Sequence, residues 1–164
     1  ATISPFSPGR LRLPVNLEPA PTGRSIVSVQ VKAPSDPIQP GETFEVRVSM
    51  TIDDRYHLNA NPASASNLVP TILSLPPDSP AKLVDVSYPT GVPLALSGQE
   101  EPISVYSGTV TLIIRLLLPE STPPGALELA LLIRYQACDD RACLAPASIS
   151  VPVALDVAPE HPKP

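Results

Sequence analysis

Cys138 and Cys143 are the only cysteines in this chain of 164 residues, and Asp139-Asp140-Arg141-Ala142 separates them. Two thiols flanking such a turn can approach within disulfide range if the turn folds back on itself. Three chemistries use such a pair: thiol–disulfide exchange, a structural staple, or a share of a metal site. A zinc site needs two further ligands. The histidines are only His57 and His161, the second in the C-terminal tail, so a metal is not expected. A staple closing so small a loop is worth roughly 2 kcal/mol of loop-closure entropy, which is little for a domain that folds on its core. Secreted domains nevertheless retain small bridges, so staple and exchange both stay open on spacing alone. The spacing is not the C-x-x-C of thioredoxin-like proteins. No helical pattern begins at Cys138 to lower a thiol pKa through its N-terminus. An exchange pair of this kind is one that a partner's activated thiolate attacks.

The charges around the pair are unequal. Asp139 and Asp140 follow Cys138 directly and oppose a thiolate there. Cys143 lies two residues after Arg141 and precedes the neutral Leu144-Ala145-Pro146. This arrangement favours the thiolate on Cys143, with Cys138 as the resolving sulfur. Pro146 has no N–H to continue a ladder, which leaves the backbone near Cys143 open to a docking partner. Asp139 and Asp140 themselves are expected as solvated turn residues. Tyr56, Tyr106 and Tyr135 are expected as core or rim packing, each with a phenol hydrogen bond where buried.

The elements that position this loop are extended ones. Phe44, Val46, Val48, Met50 and Ile52 alternate with Glu45, Arg47, Ser49 and Thr51, the pattern of a half-buried strand. Pro37-Ile38-Gln39-Pro40-Gly41 supplies a turn before it. Ile26 to Val31 predicts an earlier strand, and shorter ones are expected at Tyr56–Asn59, Thr71–Leu75 and Leu83–Tyr88. A long β-rich run covers Val105–Leu118 and another covers Ala126–Gln136. The last strand is expected at Ser148–Val157, where Pro152 implies an edge or a bulge. Leu127 to Leu132 also fits a helical turn, but Pro123-Pro124-Gly125 and the neighbouring strands favour β. Eight or nine short strands at turn-marked intervals predict an all-β fold, an immunoglobulin-like antiparallel β-sandwich. The cysteines are not the inter-sheet pin of an antibody domain, which joins distant strands and packs on a Trp this chain lacks.

Composition narrows the function. With 24 prolines and 7 glycines a helical bundle is not expected. No apolar run reaches the roughly 18 residues of a membrane span. Eleven basic against 16 acidic residues, net −5, leave no stripe for nucleic acid or an anionic membrane surface. An aromatic content of 4% without Trp gives no base-stacking or carbohydrate platform. Residues 1–24 form a Pro-rich extension whose start reads as a mature or excised N-terminus, 25–157 the folded domain, and 158–164 a Pro-rich tail or linker.

The segment Tyr135-Gln136-Ala137-Cys138-Asp139-Asp140-Arg141-Ala142-Cys143-Leu144-Ala145-Pro146 resembles the signature of the N-terminal periplasmic domain of the DsbD thiol:disulfide interchange family. Tyr56-His57-Leu58-Asn59-Ala60-Asn61-Pro62, Ser87-Tyr88-Pro89 and Val105-Tyr106-Ser107-Gly108 add weaker matches in the family's order, so that the likeness spans roughly residues 41–156. The resemblance implies an immunoglobulin-like domain in the periplasm whose catalytic pair, Cys138 and Cys143, carries out thiol:disulfide interchange without a cofactor. It implies electrons received from a membrane-embedded reductase domain, of the same full-length chain or another. They would pass to thioredoxin-like periplasmic oxidoreductases that serve cytochrome c maturation or disulfide isomerisation. His57 and Asn59 fall beside the pair on this likeness, as do Tyr135, Asp139, Asp140 and Arg141, and His57 is expected to pack there rather than to move protons. Two features differ from the family's pattern. One residue fewer separates the cysteines, and Thr90–Ser104, where an aromatic cap is expected, contains no aromatic. Leu94, Leu96 and Ile103 are the residues that can supply an apolar lid instead. The chain also lacks the family's transmembrane and thioredoxin-like portions, which implies an excised domain or a free-standing relative. The competing reading is a secreted immunoglobulin-like binding module whose disulfide is inert.

Overall fold

The computed structural model describes residues 26–159 apart from Ser97 and Gln99. The expected extension at 1–24, most of the expected tail and His161 lie outside the described residues. Eleven strands are described: β1 (Val27–Lys32), β2 (Thr43–Ile52), β3 (His57–Asn59), β4 (Ile72–Ser74), β5 (Lys82–Ser87), β6 (Val92–Leu94), β7 (Ile103–Tyr106), β8 (Thr109–Leu117), β9 (Gly125–Tyr135), β10 (Ala137–Cys138) and β11 (Ala147–Val157). All pair antiparallel, in three sheets of order β1-β2-β8-β5, β11-β9-β4 and β10-β3-β7-β6.

Alternation builds the two main layers. Phe44, Val46, Val48, Met50 and Ile52 on β2 are all buried, as are Leu112, Ile114 and Leu116 on β8. They face Leu129, Leu131, Ile133 and Tyr135 of β9 with Val153, Leu155 and Val157 of β11 in one continuous core. This is the immunoglobulin-like antiparallel sandwich that the strand pattern predicts. The segment from Leu127 to Leu132 is strand, because β9 is fixed on both sides, by β11 over its full length and by β4 near its end. Pro152 sits opposite Ala130 in unbroken register on β11, an edge strand, where a missing N–H costs no ladder bond. Ala158 is buried and its N–H donates to Ile38 O at 2.8 Å, so the packed region runs just past β11.

Two long runs change sheet part-way, and these changes make the site. Val105–Leu118 reads as one run in the sequence but forms β7 and β8 in different sheets. The break falls at Ser107-Gly108, where Gly108 has φ 68°, a conformation costly for other residues. The run through β9 likewise leaves its sheet at Gln136 and re-pairs as β10 with β3. The pieces split off in this way join β3 and β6 in the small third sheet. Two strands, β6 and β10, lie outside the strand expectations. Gly91 starts the β6–β7 hairpin, where a Cβ would come within 2.1 Å of Ser104 Oγ and 2.6 Å of Ala60 Cβ. The hairpin crosses β3's end too closely for any side chain there.

Candidate functional site

Cys138 and Cys143 form a disulfide, with S–S 2.04 Å and Cα atoms 3.9 Å apart. The local sequence folds the loop back through short-range bonds. Asp139 N–H donates to Ala142 O at 2.9 Å, and Leu144 N–H donates to Ala137 O at 2.8 Å. Asp139 Oδ1 accepts the N–H groups of Arg141 and Ala142, each at 2.8 Å. Those two bonds, Ala142's first, favour the ionised form and hold this carboxyl below its ordinary range. Asp139 is therefore the residue that shapes the turn, while Asp140 and Arg141 are exposed.

The two sulfur-bearing residues differ in access. Cys138 is 4% exposed, at the end of β10 against β3, whereas Cys143 is exposed on the returning limb. Both line a cleft of about 310 Å³. Its walls are His57 and Asn59 of β3, the loop bearing Asn67 and Leu68, and Leu96 and Ile103 of the hairpin segment. Of the three residues expected as a lid, Leu96 and Ile103 stand on the cleft with the disulfide. Leu94 pairs with Ile103 across the hairpin and is not part of the lining. Tyr135 is fully buried in the core and is not part of the lining either. Tyr106 is buried, its hydroxyl donating to Pro89 O at 2.8 Å and accepting Asn61 N–H at 3.3 Å. It anchors the end of β3 from behind the cleft.

A side-chain clamp holds the cysteine loop to the cleft wall. Gln136, at the sheet change, donates from Nε2 to Leu144 O at 3.3 Å. Its Oε1 accepts Asn59 Nδ2 and Val69 N–H, both at 3.4 Å. Asn59 Nδ2 also donates to Val69 O at 3.1 Å, and Thr71 Oγ1 ties Asn59 O at 2.8 Å. Asn59 is 0% exposed, and its Oδ1 is buried with no hydrogen-bond partner among the described residues. An unsatisfied buried acceptor costs about 1–3 kcal/mol. Gln136, Asn67 and Leu68 escaped the sequence reading. For Gln136 the available signal was a lone amide between buried Tyr135 and Ala137 where one strand should continue. For Asn67 and Leu68 there was none, since the loop reaches the cysteines only through the fold.

His57, directly opposite Cys138 in the β3–β10 register, is buried. Desolvation pushes its pKa below the ordinary histidine value, while the charges of Asp140 and Asp139 oppose that shift. Burial thus favours the neutral ring over the imidazolium.

The hairpin walls give a direct test of shielding. Leu96→Ser and Ile103→Ser are expected to speed reduction of the bridge by a small thiol such as glutathione, by about threefold to tenfold, because each opens an apolar wall around a sulfur whose rate depends on access. Leu94→Ser should do less. Pseudo-first-order rates followed by thiol alkylation check this, and rates unchanged from the parent's in all three variants would show that this segment is no gate.

No family model matches the chain, and no curated protein matches it significantly. Solved structures do. The N-terminal domain of Neisseria meningitidis DsbD, in its reduced form, aligns with TM-score 0.53 and 16% identity over 83% of this chain and 90% of that one. The N-terminal periplasmic domain of ScsB from Proteus mirabilis aligns with TM-score 0.53 and 13% identity over 91% of this chain, which spans 50% of that structure's length. At these identities the likeness is one of fold.

Proposed function

We propose that this chain is a periplasmic thiol–disulfide exchange domain that relays two electrons at a time through Cys138 and Cys143. The observation that carries the reading is the disulfide's placement: one cysteine exposed and one buried, both on a single cleft at the rim of a stiff sandwich. Exchange needs three sulfurs near a line, an accessible sulfur to attack and a poised potential. The exposed Cys143 offers the first contact and the cleft offers a seat for the partner. An inert staple needs neither. The shared fold with the DsbD and ScsB N-terminal domains supports the same reading.

The partners that fit are thioredoxin-like periplasmic oxidoreductases on the accepting side and a membrane-embedded reductase on the supplying side. No cofactor is required, since sulfur chemistry carries the electrons. Mixing the reduced protein with an oxidised thioredoxin-like oxidoreductase tests the proposal. Alkylation of both proteins at intervals should show thiols lost here and gained there within minutes, with both folds intact. Absence of transfer over hours, in both directions, would leave an inert bridge in a binding module.

A further inference from the structure

The cleft contains one nitrogen base, and the exchange reading alone gives it no task. His57 is the register partner of Cys138. Opposed residues of an antiparallel pair lie on the same face with Cβ atoms about 4.5–5.5 Å apart, within reach of an imidazole. Both residues are buried, and both line the cleft. No hydrogen bond from another described residue occupies the ring nitrogens. The charged groups around the ring are Asp139 and Asp140 on the cysteine loop, with Arg141 beyond them on the cleft. The other walls present neutral side chains: Asn59, Asn67, Leu96 and Ile103.

Resting on the exchange reading above, we propose that His57 accepts the proton of Cys138 in the step that resolves the mixed disulfide. In the reduced domain the Cys143 thiolate attacks a partner disulfide. A Cys143–partner S–S bond forms and the partner's other sulfur leaves as a thiolate. The Cys138 thiol then gives its proton to the imidazole, and the resulting thiolate attacks Cys143 Sγ. The Cys138–Cys143 bond forms, the mixed disulfide breaks, and the partner's second sulfur leaves with the electron pair. The imidazolium returns its proton to that thiolate or to water. Two electrons have passed from this domain to the partner, and the two thiols have lost their protons. Burial favours the ring's neutral form, which is the proton-accepting one, and the carboxylates of Asp139 and Asp140 offset part of the cost of the imidazolium once it forms. The same carboxylates that oppose a thiolate on Cys138 are thereby offset.

Stopped-flow oxidation of the reduced protein by excess 5,5′-dithiobis(2-nitrobenzoate) separates the two steps. The first equivalent of chromophore reports the mixed disulfide. The second, independent of reagent concentration and leaving no adduct by mass, reports closure by Cys138. The His57→Gln protein should show the ratio of second to first rate falling about ten- to a hundredfold at pH 7, the low end of what a positioned general base supplies, since burial lowers the ring's basicity. Its closure should recover only as pH rises towards about 8.5, whereas the parent's closure should already be fast near the ordinary histidine value of about 6.5. An unchanged ratio and pH profile, with equal thermal stability of the oxidised proteins, would make His57 a packing residue and overturn the proposal while leaving exchange intact. If His57→Gln does not fold, the parent's profile decides: closure titrating only near a thiol value overturns it. A parent that releases no first equivalent while folded overturns the exchange reading itself, and this proposal with it.

Discussion

A Cys138→Ser protein is expected to accumulate a covalent complex with an oxidised thioredoxin-like oxidoreductase, and Cys143→Ser to trap little. The structure gives the sequence's charge argument a steric basis. Cys138 is 4% exposed at the end of β10, whereas Cys143 is exposed on the limb that returns towards β11. A partner sulfur must approach its target in line, and the exposed Cys143 offers that approach more openly than the buried Cys138. Arg141 lies nearby on the cleft, while Asp139 and Asp140 follow Cys138. The yield of complex on non-reducing gels should differ by about tenfold or more between the variants, as access and thiolate fraction act in the same direction. The reverse pattern would exchange the roles of the two sulfurs and leave the relay standing. Trapping by neither would count against both.

The bridge should also open in dithiol buffers while the sandwich stays folded. A structural disulfide of a secreted protein has a potential below about −300 mV, and every 30 mV or so is a factor of ten in the exchange equilibrium. A relay poised about 100 mV higher therefore differs from a staple by about three orders of magnitude in that constant. Closing so short a loop contributes about 2 kcal/mol, a minority of the roughly 5–15 kcal/mol that holds a domain. The core does not depend on it: Val46, Val48, Met50, Leu112, Ile114, Leu131 and Ile133 are fully buried on strands of the two main sheets. Reduction should lower Tm by about 5–10 °C without loss of the β signature. Free thiols counted against the dithiol ratio, with circular dichroism on the same samples, check both halves. A bridge that stays closed until the fold melts would remove the relay reading.

The fold was legible because a strand buried on one face writes its own pattern. β2 needs only its alternation of Phe44, Val46, Val48, Met50 and Ile52 to be located, and the structure buries all five. The pair itself was equally local: Cys138 and Cys143 are joined by a turn that Asp139 closes with its own neighbours' N–H groups. Where two periods fit, as at Leu127 to Leu132, local pattern had to be weighed against neighbours, and pairing with β11 and β4 decided it. The division of Val105–Leu118 was not written in its hydrophobicity, because β7 and β8 are both apolar runs. Only their partners, β3 and β6 for one and β2 and β5 for the other, place them in different sheets. The site follows the same rule. Sequence determined that two thiols would meet beside a histidine-bearing strand if the family likeness held. The tertiary structure decided which sulfur faces outward, that Gln136 reaches back to Asn59 and Leu144, and that Leu96, Ile103 and Asn67 close the walls. Apart from the Gln136–Leu144 bond across the cysteine loop, those are contacts between segments tens of residues apart, set by sheet pairing, and no local period encodes them.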